Sequence, residues 1–277
     1  MAAITPQMVK ELRDKTDAGM GECKKALVEA NGDIEAAIEI IRKKGQAVAA
    51  KRSDREASEG CVLAASKADF AAIVALQCET DFVAKNEGFK AFVAEMLADA
   101  AGVADDGLAA AAKAKVDAKI AEIGENIVAR RNMTWTAQGT GAIAAYVHLG
   151  GKLGVMVEVG CNDAASVAKP EVKAMLSDLT LHITAVAPVC IRREEVPAET
   201  IAAESDIYRK QVEGKPANII DKIVAGKLEK FYSQVCLLEQ AFVKDQDKTV
   251  TQILAETGKA VGDEFTVRRF VRWQLGA

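Results

Sequence analysis

The chain has 277 residues, half of them apolar and 27% charged, with a formal net charge of −4. This is enough apolar material for a real core and too much length for one small module, so two or three domains are expected. The acidic balance argues against a protein that lives on nucleic-acid phosphates. No apolar run reaches membrane-span length, and no N-terminal stretch has the pattern of a signal peptide.

The basic clusters are short: Arg42-Lys43-Lys44, Lys51-Arg52, Arg130-Arg131, Arg192-Arg193 and Arg268-Arg269. They read as solvated helix ends and edges. The six cysteines show no C-x-x-C pair, and several lie in apolar runs, which suits reduced thiols in a cytoplasmic protein.

Residues 1–45 carry a self-contained helical pattern. Thr5 and Pro6 form a helix start, with Val9 and Leu12 on the inner face. Cys23, Ala26, Leu27 and Ala30 recur at helical spacing, and so do Ile34, Ala37, Ile38 and Ile41 after the stop at Asn31-Gly32 and the cap at Asp33. Three short helices around a tight 17–21 turn resemble a ubiquitin-associated-type bundle, a docking piece. Residues 46–59 are polar and charged and read as a linker.

An internal repeat follows. With Phe70 laid on Leu153, FAAIVALQC covers LGVMVEVGC and Cys78 falls on Cys161. Each copy is a strand opened by glycine (Gly60, Gly141), a turn, a second apolar strand and a helix. This predicts an α+β fold with two pseudo-repeated subdomains, one over 60–140 and one over 141–187 with 234–277. Leu153, Val155, Val157 and Val159 are expected on the core face of their strand, with Gly154, Met156, Glu158 and Gly160 opposite. Residues 108–131 read as one long helix. Residues 188–233 read as an inserted helical hairpin, started by Pro197, turned at Gly214-Lys215-Pro216 and striped by Ile219, Ile220, Ile223, Val224 and Leu228. Beyond it, 236–242 reads as extended, 249–255 as a short helix capped by Thr249, and 264–275 as a final strand.

The corner Glu79-Thr80-Asp81-Phe82-Val83 links the second strand to a helical pattern that begins near Asn86. Such a corner can hold an aromatic side chain out on a rigid base. The plainer alternative is that Thr80 or Asp81 caps a helix and Phe82 packs at home. The second copy has Ala165 where the first has Phe82, so the architecture does not demand the aromatic.

Chemical catalysis has little support. No P-loop is present, since Gly150-Gly151-Lys152 lacks the upstream glycine and the Ser or Thr that follows. The two histidines, His148 and His182, have no metal-ligand spacing, and no nucleophile elbow appears. His182 reads as a core or helix-face residue. The chain is expected to be no enzyme and to need no cofactor.

Several stretches together resemble the family of translation elongation factor Ts, the bacterial guanine-nucleotide exchange factor of elongation factor Tu. They are Val9-Lys10-Glu11-Leu12-Arg13, Gly19-Met20, Cys23-Lys24-Lys25-Ala26-Leu27, Asn31-Gly32-Asp33, Thr80-Asp81-Phe82-Val83, Ile123-Gly124-Glu125-Asn126, His148 with Gly150-Gly151-Lys152, Gly154-Val155, Gly214-Lys215-Pro216, and Gln240 with Phe242-Val243. The resemblance implies that Thr80, Asp81, Phe82 and Val83 disturb the Mg²⁺ site of the GTPase, with Phe82 as a wedge between two of its helices. It implies further partner contacts at Leu12, Met20, Lys24, Ile123, Gly124, His148 and Val235, and a protruding coiled-coil hairpin. A homodimer or a 2:2 complex with the GTPase is compatible with it; DNA and membrane are not expected partners. Two departures stand out. Gly21 replaces a large apolar residue, which weakens that contact, and the chain stops soon after the last strand, where many relatives add a C-terminal helix that touches the partner. Two rivals are weaker: a ubiquitin-like adaptor explains neither the repeat nor Phe82, and an RNA-binding protein would want a basic face.

Overall fold

A computed structural model describes residues 3–16, 18–67, 69–214 and 216–276. Asp17 and Lys215, which belong to two of the expected turns, lie outside the described residues.

The chain opens with three helices. Thr5 Oγ1 accepts from Met8 N at 3.3 Å at the head of α1 (Pro6–Thr16). After α2 (Met20–Glu29), Asn31 and Gly32 turn the chain with positive φ, and Asp33 caps α3 (Ile34–Arg52) by accepting from Ala36 N at 3.0 Å. Val9, Leu12, Cys23, Ala26, Leu27 and Ala37 close the small core between them.

Two three-stranded antiparallel sheets follow, built the same way. The first has the order β1 (Glu59–Lys67), β2 (Phe70–Cys78), β3 (Ile127–Thr136). The second, counting β6 (Ala241–Phe242) and β7 (Asp245–Thr249) as a separate small ribbon, has the order β4 (Gly141–His148), β5 (Leu153–Gly160), β8 (Thr266–Gln274). The strand-opening glycines have a steric reason. A Cβ on Gly60 would lie 2.1 Å from Leu76 O, and one on Gly141 2.3 Å from Val159 O, so a side chain at either place would push the neighbouring strand away.

Helices cover the outer face of each sheet. After the short α4 (Asp81–Lys85), α5 (Glu87–Ala100) lays Phe89, Phe92, Val93 and Met96 on Val74, Leu76 and Cys78. In the second half α8 (Pro170–Val186) lays Val172, Met175, Leu179 and Ile183 on Val155, Val157 and Val159. The inner faces of the two sheets meet through Val62, Ile73, Ala75, Ile143, Met156, Trp135 and Trp273. The architecture is therefore α+β, with the sheets back to back between helical layers.

The structure corrects several expectations. The segment expected as a linker is helical as far as Arg52, because its Ala, Gln, Lys and Arg residues favour helix and no proline interrupts them. Ala49 joins the first subdomain's core with Val116 and Ile120, so the helix ties the bundle to that subdomain. The expected long helix over 108–131 is instead α6 (Leu108–Ala111), α7 (Lys113–Ile123) and the start of β3; Gly124, at φ +84°, ends α7 in the left-handed cap that glycine permits. Both faces of β5 are buried, not one, because the second sheet face packs on the first sheet.

In the insertion, α9 (Ala198–Gln211) and α10 (Ala217–Val235) form the hairpin, and α10 runs two residues past its expected end. After it the chain makes a 3-10 turn before β6, so 236–242 is not simply extended. The helix capped by Thr249, α11 (Val250–Val261), outlasts the expected end at Ala255 because a capping box with Gln252 starts it and Gly262 ends it. Arg130-Arg131 and Arg268-Arg269 stand on strands, not on helix ends.

Candidate protein-docking site

The corner after β2 is held by a reciprocal carboxylate clamp. Glu125 accepts from the backbone of Glu79 (3.1 Å) and Thr80 (3.0 Å) and from Thr80 Oγ1 (2.6 Å). In return Glu79 accepts from Asn126 N at 2.6 Å, while Asn126 Nδ2 donates to Arg55 O at 2.7 Å. Arg55 Nη1 donates to Glu79 at 3.3 Å, and Arg52 stands 4.0 Å away on the end of α3. The Asn126 N–H is the main reason that the Glu79 carboxyl sits below its usual pKa, with both arginines helping against the cost of burial. Cys78, beneath the corner, is pushed up to about 12 by burial and by the charges of Glu125 and Glu59, so it is a buried neutral thiol.

On this base Thr80 caps α4, accepting from Val83 N at 3.3 Å. Asp81 accepts from Lys85 Nζ at 2.6 Å, which holds its carboxyl low, and both groups stay at the surface. Phe82 points outward with 82% of its surface exposed, while Val83 and Ala84 turn in toward the core. The helix-cap half of the plainer reading is therefore what the structure contains, and the home-packing half is not: Phe82 stands free on a clamped turn. A lone exposed apolar residue is common; here it stands on a turn held by the hydrogen bonds of Glu79, Thr80 and Glu125.

The clamp also brings Ile123 and Gly124 to the corner, since Glu125 follows them directly. His148 arrives by another route. The 148–152 turn docks on β1: Gly151 O accepts from Val62 N at 2.6 Å, and Lys152 pairs with Glu59 while its charge also reaches Asp81. His148 Nδ1 is 3.0 Å from Tyr146 Oη, which orients the ring. Beside it Leu149 is 71% exposed and held at φ +50°, a conformation that branched side chains tolerate poorly. Leu149 was missed from the sequence, and so was the clamp that joins the Glu79 and Glu125 segments, although both segments were singled out; the glycines after Leu149 were the available signal for the first.

Other expected residues sit elsewhere. Met20 (51% exposed) and Lys24 stand on α2, with open space at Gly21. Leu12 is fully buried among Cys23, Ala26 and Leu27, so it supports the bundle and offers no surface to a partner. Val235 is half-buried at the end of α10, where its carbonyl accepts from Val189 N at 2.9 Å. His182 is a core residue: Val243 N donates to its Nδ1 (3.2 Å), Nε2 faces Gln240 Oε1 (2.9 Å), and burial lowers its pKa. Among the described residues no helix is long and apolar enough to cross a membrane.

Known proteins share this sequence along its length. A family model described as "Elongation factor TS" matches residues 79–277. An elongation factor Ts of Desulfovibrio desulfuricans is 44% identical over all of both chains. One from Nitratiruptor sp. is 44% identical over 99% of this chain and 93% of its own, and one from Protochlamydia amoebophila is 41% identical over all of both. By class the chain is a translation elongation factor of the nucleotide-exchange kind. It belongs to the elongation factor Ts family.

Proposed function

We propose that the chain docks on GDP-loaded elongation factor Tu, disturbs the Mg²⁺ and phosphate site, and releases GDP so that GTP can bind. The observation that carries this reading is Phe82, exposed on a turn clamped by Glu79 and Glu125. Tight nucleotide binding by such a GTPase depends on Mg²⁺ and a fixed phosphate loop. A wedge that fits only when the partner's helices have shifted binds the nucleotide-free form better, and linkage then weakens the nucleotide by the same factor. No bond to the nucleotide is made or broken, so the chain acts as an exchange factor and not as a chemical catalyst.

In this reading Thr80, Asp81 and Val83 set the wedge, and Ile123, Gly124 and His148 extend the face around it. The N-terminal bundle, ubiquitin-associated in type, docks through Met20 and Lys24, and Val235 makes a further contact. The helical arm serves self-association, in a homodimer or a 2:2 complex, because Ile207 and Ile219 leave apolar surface uncovered on it. The setting is the cytoplasm, with neither DNA nor membrane as partner. Stopped-flow release of a fluorescent GDP from elongation factor Tu tests the proposal. Acceleration that rises with concentration of this chain supports it, and an unchanged release rate overturns it.

A further inference from the structure

The two halves share a device in their third strands. In β3, Arg130-Arg131 precedes Trp135; 138 residues further on, in β8, Arg268-Arg269 precedes Trp273 at the same spacing. Both strands bulge at the first arginine. The β2–β3 register slips between Ala75 and Leu76 and leaves Arg130 unpaired, and the β5–β8 register slips between Glu158 and Val159 and leaves Arg268 unpaired. A bulge re-aims side chains that would otherwise alternate across the sheet. The second arginines then cross between the halves: the Arg131 guanidinium lies 4.4 Å from the Trp273 ring centre, and that of Arg269 lies 4.4 Å from the Trp135 ring centre.

In the C-terminal half this device holds a carboxylate. Glu158 is fully buried on β5 and accepts from Arg268 Nη1 (3.2 Å), Arg269 Nε (2.6 Å) and Gln138 N (2.6 Å). Burial alone would raise its pKa, but these three donors outweigh it and keep the group ionised.

In the N-terminal half the repeat puts Ala75 where Glu158 stands. Among the described residues neither Arg130 nor Arg131 has a carboxylate within ion-pair reach. A cavity of about 430 Å³ opens there, lined by Ala75, Gln77, Asp106, Arg130, Arg131 and Trp273. Gly276, three residues past Trp273 as Gln138 is three past Trp135, also borders it. We propose that this cavity is a receptor for one oxyanion, a carboxylate or a phosphate, held by Arg130 and Arg131 as Arg268 and Arg269 hold Glu158. Arginine forks are suited to both groups. Asp106 on the lining opposes an anion, so Asp106→Asn should tighten binding.

The chain has two tryptophans, so two indole N–H resonances report on the two halves. That of Trp273 is buried and makes no hydrogen bond among the described residues, which leaves it open to the field of a nearby charge. The experiment titrates the full chain with inorganic phosphate and, separately, with acetate, at ionic strength held constant with chloride, and assigns the resonances with Trp135→Phe. The expected result is a saturable shift of the Trp273 signal in the millimolar range (about −4 kcal/mol at 1 mM), with Trp135 still. Saturation by phosphate alone assigns a free anion, and saturation by acetate assigns a partner's carboxylate group. Arg131→Gln should weaken binding at least about tenfold, and Ala75→Glu, which supplies the carboxylate that this half lacks, should abolish it. Arg131 is exposed, so Arg131→Gln keeps the test decisive if Ala75→Glu does not fold. Absence of a saturable shift with either anion, or one that survives Arg131→Gln, overturns the proposal.

Discussion

Phe82→Ala separates a docking role from a packing role more sharply than any other substitution. In the free chain 82% of the side chain is already in water, so its removal leaves no internal cavity. Exposed substitutions of this kind stay within about 0.5 kcal/mol of the parent, a shift of roughly 1–2 °C in Tm for a protein of this size. Truncation of a home-core phenylalanine would instead cost about 3–5 kcal/mol. In the complex the arithmetic reverses. Full burial of such a side chain is worth about 1.5–3 kcal/mol, and four-fifths of that is available here, or roughly 1.2–2.5 kcal/mol. At about 1.4 kcal/mol per decade, affinity for nucleotide-free elongation factor Tu should fall roughly seven- to sixtyfold, and stimulated GDP release with it. Stopped-flow release and differential scanning calorimetry on the same sample decide the matter. A Tm lowered by many degrees with exchange intact would refute the reasoning and return Phe82 to a packing role.

Glu125→Gln should loosen the corner without removing the wedge, slowing GDP release several-fold while hydrogen exchange at the Glu79 and Thr80 amides rises; unchanged protection there would dismiss the clamp. The pH dependence carries a definite sign. The Glu79 pKa is depressed below its ordinary 4.5, so its stabilising contribution is complete above that value and is lost as pH falls through the lower folded pKa, which acid unfolding of the parent against Glu79→Gln measures. Cys78 and Cys236, both pushed up to about 12, should resist alkylation at pH 8 in the native chain and react on unfolding; rapid native modification would contradict their burial. Replacing residues 197–228 with a short Gly-Ser link should change self-association by light scattering while GDP release stays within a few-fold of the parent, because the Phe82 corner, the His148 turn and Val235 all remain. A loss of exchange as large as that of Phe82→Ala would move the mechanism to the arm.

What the sequence made legible was whatever rests on local pattern. The glycine-opened strand pairs, the Cys78–Cys161 repeat and the caps at Asp33 and Thr249 depend on neighbours in the chain, and they appear as expected. The misreadings came where tertiary packing overrides a local signal. The charged run before Arg52 looked like a linker because its helix covers the core through small residues such as Ala49, which leave a weak hydrophobic pattern. The alanine-rich run hid the start of β3, and only Gly124 marked the break. Met156 and Glu158 share a face that looked solvent-facing because no sequence feature announces that the two sheets pack back to back. In the site, Phe82 was conspicuous, but its clamp joins carboxylates 46 residues apart in sequence, and no spacing rule connects them. Leu12 is hidden for the opposite reason: its periodicity marks a buried face, and it sits inside the core of the bundle.

The most direct test of the central claim is calorimetric binding of the chain to elongation factor Tu in two forms, nucleotide-free and GDP-loaded. Linkage requires the ratio of the two affinities to equal the factor by which the chain weakens GDP. The account predicts markedly tighter binding to the nucleotide-free form, with that preference reduced in Phe82→Ala. Equal affinity for the two forms would contradict it, since a ligand without preference shifts no equilibrium.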